Sequence, residues 1–242
     1  MSYFETIIYE KKDDIAYITL NRPKVLNVYN IQMRDELYQV LSAVSDDSNI
    51  AVAILKGAGD KAFCAGADLT EFLTAPSPTI ARQVRWERDV WGLFLSLPQP
   101  VIAALHGYVF GDGIEMALCC DIRIASIDAQ FAAPEVGLGI IPAAGGTQTI
   151  PRMVGRGKAI EMLLTGRWLN AQEAYKAGLV NRVVTREQLL PTAEEIARKI
   201  ATYDQIAVRS AKQAIVRGLD LSLNEGLDLE KRRASHLTTI AH

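Results

Sequence analysis

The sequence has little cysteine, no marked excess of either charge and no long apolar run, and each shortage removes a class of protein. Its three cysteines, Cys64, Cys119 and Cys120, are an odd number and two are adjacent, which suggests neither a disulfide framework nor a zinc site. A reducing compartment fits that usage. A formal charge of -2 over 242 residues supplies no bulk attraction for nucleic acid or for an anionic membrane. No window approaches the apolar length that a membrane span needs. The opening stretch MSYFETIIYEKKDD puts charges where a signal peptide needs its apolar segment. The expectation is a soluble cytoplasmic protein with no nucleic-acid or membrane partner.

Several catalytic signatures are missing too. There is no Walker A loop, no G-x-S-x-G elbow and no H-E-x-x-H. The stretch from Gly57 to Ala62 matches the loose dinucleotide pattern G-x-G-x-x-A. However, the FCAGAD that follows is not an amphipathic helix, and no second strand ending in an acid lies at the required distance. His106, between an apolar strand and a glycine, reads as a packed histidine.

What is present is a chain of 49% apolar composition, enough for a substantial core in one large domain or one domain with a small appendage. Alternation and apolar runs predict strands over 6–10, 15–20, 51–55, 101–105 and 122–125. Apolar spacing predicts helices over 30–44, with Asn30 as N-cap, and over 80–97 and 113–119. After Pro142 the candidates are all helical: 150–165, 171–177, 187–203, 206–217 and 223–233. Strands dominate early and helices late, with the change near 185–200.

Two carboxyls stand out. Glu115 in GIEMALCC and Glu135 in FAAPEVGLGII each sit among apolar neighbours, and the intervening strand and turn can return the chain to the same end of a sheet. Burial pushes carboxyl pKa values upward and neighbours push them apart, as a general acid and a general base on one substrate require. The competing reading is a structural ion pair with Arg123 or Arg152. Two small-residue turns after buried strands, Cys64-Ala-Gly-Ala-Asp68 and Gly111-Asp-Gly113, could bring two backbone N–H groups to one ligand as an oxyanion hole.

These stretches in order, from IAYITLNRP through AFCAGADL and HGYVFGDGIEMALCCDIRIAS to FAAPEVGLGIIPAAGGTQTIPRMVG and LTGRWLNAQEAYKAGLVNRVV, resemble the enoyl-CoA hydratase/isomerase, or crotonase, superfamily over nearly the whole chain. The resemblance implies an α/β fold, a crotonase-like spiral of ββα repeats over 1–185 that carries the CoA and active site. A helical region over 186–242 would assemble a homotrimer, or a homohexamer of two trimers. It implies an acyl-CoA thioester substrate whose carbonyl is held by the N–H groups of Ala67 and Asp112. Glu115 would activate water and Glu135 would protonate the alpha carbon; isomerases of the family generally lack an acid at the first position, so retention of both favours hydration. Lys24 and Val25 in NRPKVLN would lie near the CoA nucleotide, with Ala65, Asp68, Leu69 and Gly111 lining its path. No metal or redox cofactor is implied. Phe72, Trp86 and Trp91 are candidate pocket side chains.

Three departures from the family pattern stand out: Asp112 and Ala143 occupy positions where relatives usually have glycine, and the chain ends at His242, short of the helical tail many members carry. The Asp112 N–H still donates, but its carboxylate must either cap the helix it begins or face the enolate; capping is the expectation. The alternatives are an isomerase, a hydratase of branched or cyclic acyl-CoA, or a weakened member with a noncatalytic role.

Overall fold

The computed structural model describes residues 4–71 and 87–240; the first part of the helix predicted over 80–97, and Phe72 and Trp86, lie outside them. The chain opens with β1 (Ile7–Lys12) and β2 (Ile15–Leu20), an antiparallel pair in which Ile7 faces Leu20. Helix α1 (Ile31–Asp46) follows. Its cap is the predicted one, Asn30 accepting from the Met33 N–H at 2.9 Å. Then come β3 (Val52–Gly57), β4 (Ala62–Cys64), α2 (Val90–Ser96), β5 (Val101–Leu105), β6 (Tyr108–Phe110) and α3 (Asp112–Cys119). Strands β7 (Ile122–Ser126) and β8 (Gln130–Ala132) precede α4 (Gly146–Val154) and α5 (Arg156–Thr165). The remainder is β9 (Leu169–Asn170), α6 (Ala171–Lys176), β10 (Arg182–Val184), α7 (Arg186–Ala201), α8 (Gln205–Gly218) and α9 (Leu223–Ile240).

The strands form two sheets, of order β1-β2-β3-β5-β7-β10 and β4-β6-β8-β9. Each passage of the chain adds a strand to the first sheet and then one to the second: β3 with β4, β5 with β6, β7 with β8. The pairings β3–β5–β7 and β4–β6–β8 are all parallel, so successive passages stack as turns of a spiral. Parallel strands covered on both faces need apolar residues at every position, and all six residues of β2 are buried. Ala16, Ile18, Ala53 and Leu55 face the main core with α1 and α3, while Ile15, Tyr17, Ile54 and Ile124 pack under Leu189, Ala193 and Ala197 of α7.

The helix predicted over 150–165 is two helices. Gly155, at φ +77°, breaks it, and the first piece begins earlier, at Gly146. Strands β4, β6, β8, β9 and β10, each of two or three residues, escaped the pattern because so short a run shows no period. The amino-terminal strand is tied down by Glu36 of α1, whose carboxylate accepts from the N–H groups of Glu5, Thr6 and Ile7 and from the Thr6 hydroxyl at 2.7–3.0 Å.

Candidate active site

A cavity of about 890 Å³ opens at the ends of β4, β6 and β8. Ala65, Ala67, Leu69, Gly111, Asp112, Glu115 and Glu135 all border it, so the two turns and both glutamates named from the sequence share one space. Tyr29, Trp91 and the exposed apolar run Leu138–Ile141 complete a largely apolar wall.

The turns are held by backbone bonds. Tyr29 donates its N–H to the Gly66 carbonyl and accepts from the Asp68 N–H, each at 2.8 Å. Because successive residues of an extended segment direct their polar groups to opposite sides, the Ala67 N–H is directed away from Tyr29. At the second turn Gly111 adopts φ +50° and donates to the Ala132 carbonyl at 3.0 Å. A side chain there would press within 3.0 Å of Glu135 Oε1, and one at Gly113 would collide with the Cys64 carbonyl. The glycines on both sides of Asp112 therefore let α3 start hard against β4. As the first residue of that helix, Asp112 directs its N–H out of the positive end.

Glu115 is 1% exposed. Its Oε1 accepts from the N–H groups of Ala144 and Gly146 at 3.0 and 2.6 Å, an approach that a side chain at Gly146 would block. Its Oε2 is buried with no donor. Burial first, and the Asp112 charge second, raise the Glu115 pKa from 4.5 to about 7, against the lowering effect of the two N–H groups. Glu135 opens a short 3-10 turn, Glu135–Leu138, and is also buried. Burial raises its pKa, and the Glu115 charge adds to the rise. The arginines weighed as ion-pair partners are engaged elsewhere: Arg123 donates to the Leu179 and Cys120 carbonyls and Arg152 to Gln148.

The expected cap by Asp112 is not formed. The N-cap position falls to Gly111, with no side-chain cap bond. The half-buried Asp112 carboxyl lies instead near enough to Glu115 for its charge to raise the Glu115 pKa. A residue three positions on along a helix lies on the same face, and both carboxyl residues border the cavity.

The remaining predicted contacts are more scattered. Lys24 and Val25 form an exposed 3-10 turn, Pro23–Val25, that does not border the cavity but adjoins it, since Leu26 accepts from the Ala65 N–H at 3.0 Å. Asp68 also stands off the cavity, paired with Arg22 at 2.9 Å and accepting from the Thr70 hydroxyl at 2.6 Å. His106 is a buried residue away from the cavity, with burial lowering its pKa to about 4. The sequence reading missed Ala144 and Gly146 as the donors that hold Glu115, although the glycines of IPAAGG at a helix start were a visible signal. It also missed Tyr29, Arg34 and Arg88, which border the cavity from the segment before α1, from α1 and from the segment before α2. Among the described residues no cluster suited to a metal ion occurs.

Comparisons with known proteins identify the relatives of this chain. Residues 10–242 match the family model described as enoyl-CoA hydratase/isomerase. The crotonyl-CoA hydratase of Syntrophomonas wolfei is 42% identical over 228 residues, 94% of this chain and 87% of the relative. The short-chain-enoyl-CoA hydratase of Clostridium acetobutylicum is also 42% identical, over 93% of this chain and 86% of its own length. The crystal structure of an enoyl-CoA hydratase from Bacillus anthracis superposes with a TM-score of 0.90 at 42% identity, covering 96% of this chain and 90% of that one. On the matched family model, the identity with these relatives and the shared fold, the chain belongs to the enoyl-CoA hydratase/isomerase family.

Proposed function

We propose that the protein hydrates 2-enoyl-CoA thioesters to 3-hydroxyacyl-CoA. The observation that carries the reading is the meeting, in one largely apolar cavity, of two buried carboxyls, Glu115 and Glu135, with two small-residue turns. The thioester carbonyl lies against the N–H groups of Ala67 and Asp112. As water adds, its hydroxyl bonds to the beta carbon and its proton passes to Glu115; Glu135 gives a proton to the alpha carbon. Negative charge builds on the thioester oxygen during this step, so the two donors bind the transition state more tightly than the substrate. The glutamates then return to their starting protonation by exchange with solvent. The thioester is activated by hydrogen bonds, and the reading calls for neither metal nor redox cofactor.

In this reading Lys24, exposed on the turn beside Ala65, meets the CoA phosphates, with the Val25 backbone beside it. The reading includes assembly into trimers or hexamers through the helical end, and a cytoplasmic location. None of the residues of α8 is buried, and Ile215, Leu219 and Leu223 are 64%, 80% and 78% exposed. No described helix is long and apolar enough to cross a membrane.

A panel of straight, branched and cyclic enoyl-CoA thioesters tests the reading through loss of the conjugated absorbance. Turnover of at least one member is expected. Silence across the panel, or movement of the double bond without addition of water, overturns it.

A further inference from the structure

The Ala67 N–H stands in a run of small residues, Ala65-Gly-Ala67, whose central Gly66 adopts φ +109°. Such a turn is free to rotate unless something outside it fixes the conformation. Two restraints do so. The first is main-chain pairing: Tyr29 forms a parallel bridge with Ala67 through its bonds to Gly66 and Asp68 on either side. The second is the side chain that follows the donor. Asp68 Oδ2 accepts from Arg22 Nη1 at 2.9 Å, and the same nitrogen donates to the Val28 carbonyl at 2.7 Å. Asp68 Oδ1 accepts from the Thr70 N–H and hydroxyl at 3.2 and 2.6 Å, so the carboxylate is gripped at both oxygens.

Arg22 is itself anchored. Asn27, fully buried, accepts from the Arg22 N–H at 2.8 Å and donates to the Ala58 and Ala62 carbonyls at 2.9 and 2.8 Å. These bonds fasten the turn after β2 to the connection between β3 and β4. Leu26 and Asn27 sit at φ +57° and +55°, a conformation that costs energy for a residue with a side chain and persists only where the surroundings impose it. The turn is therefore a fixed bracket, and the Arg22 guanidinium is the arm that reaches from it to the residue after Ala67.

We propose that Arg22 and Asp68 are positioning residues for the reaction: their ion pair clamps the turn so that the Ala67 N–H is aimed at the thioester oxygen, and it cancels the carboxylate charge one residue away from that donor. This deepens the hydratase reading and rests on it. It gives Asp68 a role other than the CoA contact expected from the sequence. The Thr70 hydroxyl first, and Arg22 after it, lower the Asp68 pKa against burial, so the pair is ionised at neutral pH. Without Arg22 that carboxylate would stand uncompensated beside a growing negative charge, which like charge disfavours.

The test pairs kinetics with a probe that cannot react. Butyryl-CoA has no double bond to hydrate, so the infrared stretch of its thioester carbonyl reports only how that carbonyl is held. Bound to the parent, the stretch should fall below its free value, because N–H donors polarise the carbonyl. In Asp68→Ala and in Arg22→Ala the shift should shrink. Turnover per butyryl-CoA-binding site should drop about tenfold or more, toward the roughly hundredfold cost of a misplacement of about 1 Å, with KM changed much less. Asp68→Asn, which keeps an oxygen for Arg22, should retain more of both than Asp68→Ala. Because the two side chains act as one unit, the double variant Arg22→Ala, Asp68→Ala should be no worse than the poorer single one. A full parental shift in both single variants, losses that multiply in the double variant, or no shift in the parent overturns the proposal. The spectrum stands apart from the hydration assay: a shifted carbonyl with no turnover of any thioester rejects the hydratase reading and with it the role, while turnover with single variants indistinguishable from the parent rejects the clamp alone.

Discussion

Glu115→Gln should make the protein more stable and much less active, and the two effects come from one cause. A carboxyl that titrates at about 7 in the fold and near 4.5 when unfolded has its charged form disfavoured in the fold by about 3 kcal/mol. The sign follows from proton counts. Below the unfolded value both states are protonated and nothing is gained or lost; as pH rises from 4.5 to about 7 the unfolded chain sheds its proton first, and folding stability falls. Above that range the whole penalty stands. Gln is uncharged, has nearly the same shape, and its amide oxygen can still accept from the Ala144 and Gly146 N–H groups. Thermal or urea melts of parent and variant should therefore coincide at acid pH and diverge above neutrality, with the variant up to about 3 kcal/mol more stable, on the order of 5–10 °C in Tm. Hydration should fall by about a hundred- to ten-thousandfold, the cost of losing a general base. A variant less stable than the parent at alkaline pH would refute the buried-charge argument. One that hydrates at near parental rate would refute the catalytic assignment.

Glu135→Gln should lose hydration by a similar factor, about a hundredfold or more, read as exchange of the alpha proton as well as net turnover. Gly113→Ala should cut hydration about tenfold or more and cost about 1–3 kcal/mol, because the added methyl meets backbone at Cys64 and tilts the start of α3. Glu36→Ala strands four buried or half-buried donors of the first strand; about 2–3 kcal/mol of stability should go with kcat intact. Since the Glu36 pKa is lowered in the fold by its hydrogen bonds, against burial, its contribution is present at neutral pH and fades as pH falls through the carboxylate range. His106 is held neutral by burial, with a pKa of about 4 in place of 6.5. Its contribution is complete above 6.5 and lost as pH falls toward 4, so His106→Asn should flatten the acid limb of a stability–pH curve by up to about 3 kcal/mol.

The elements legible in the sequence are those whose burial is uniform. Strands β2 and β5 fall on the predicted residues because each is covered on both faces and reads as an unbroken apolar run. Glu115 and Glu135 were legible for the converse reason, as charges inside apolar stretches. The donors of Ala144 and Gly146 were not, because a backbone N–H has no residue type to announce it, and their role depends on a contact 29 and 31 residues away. Asp112 was misjudged on local grounds. A carboxylate at a helix start normally caps it, but here Gly111 takes the cap position in a conformation that a side chain resists, and Asp112 falls one residue inside the helix.

The way the spiral is wound explains why these particular residues meet. Strands β4, β6 and β8 pair in parallel, with Ala62 beside Tyr108 and Tyr108 beside Gln130, so their carboxyl ends at Cys64, Phe110 and Ala132 lie side by side. Ala67, Asp112 and Glu135 each follow one of these ends by two or three residues, and each therefore arrives at the same edge, where open parallel sheets present their ligand sites. In the proposed reading one passage of the chain supplies a backbone donor, the next a second donor and the base one turn further along its helix, and the third the acid. The spacing between them is set by strand separation, about 4.8 Å from one passage to the next, and not by any side chain. A change confined to one passage, such as an aspartate at 112, leaves the other two in place.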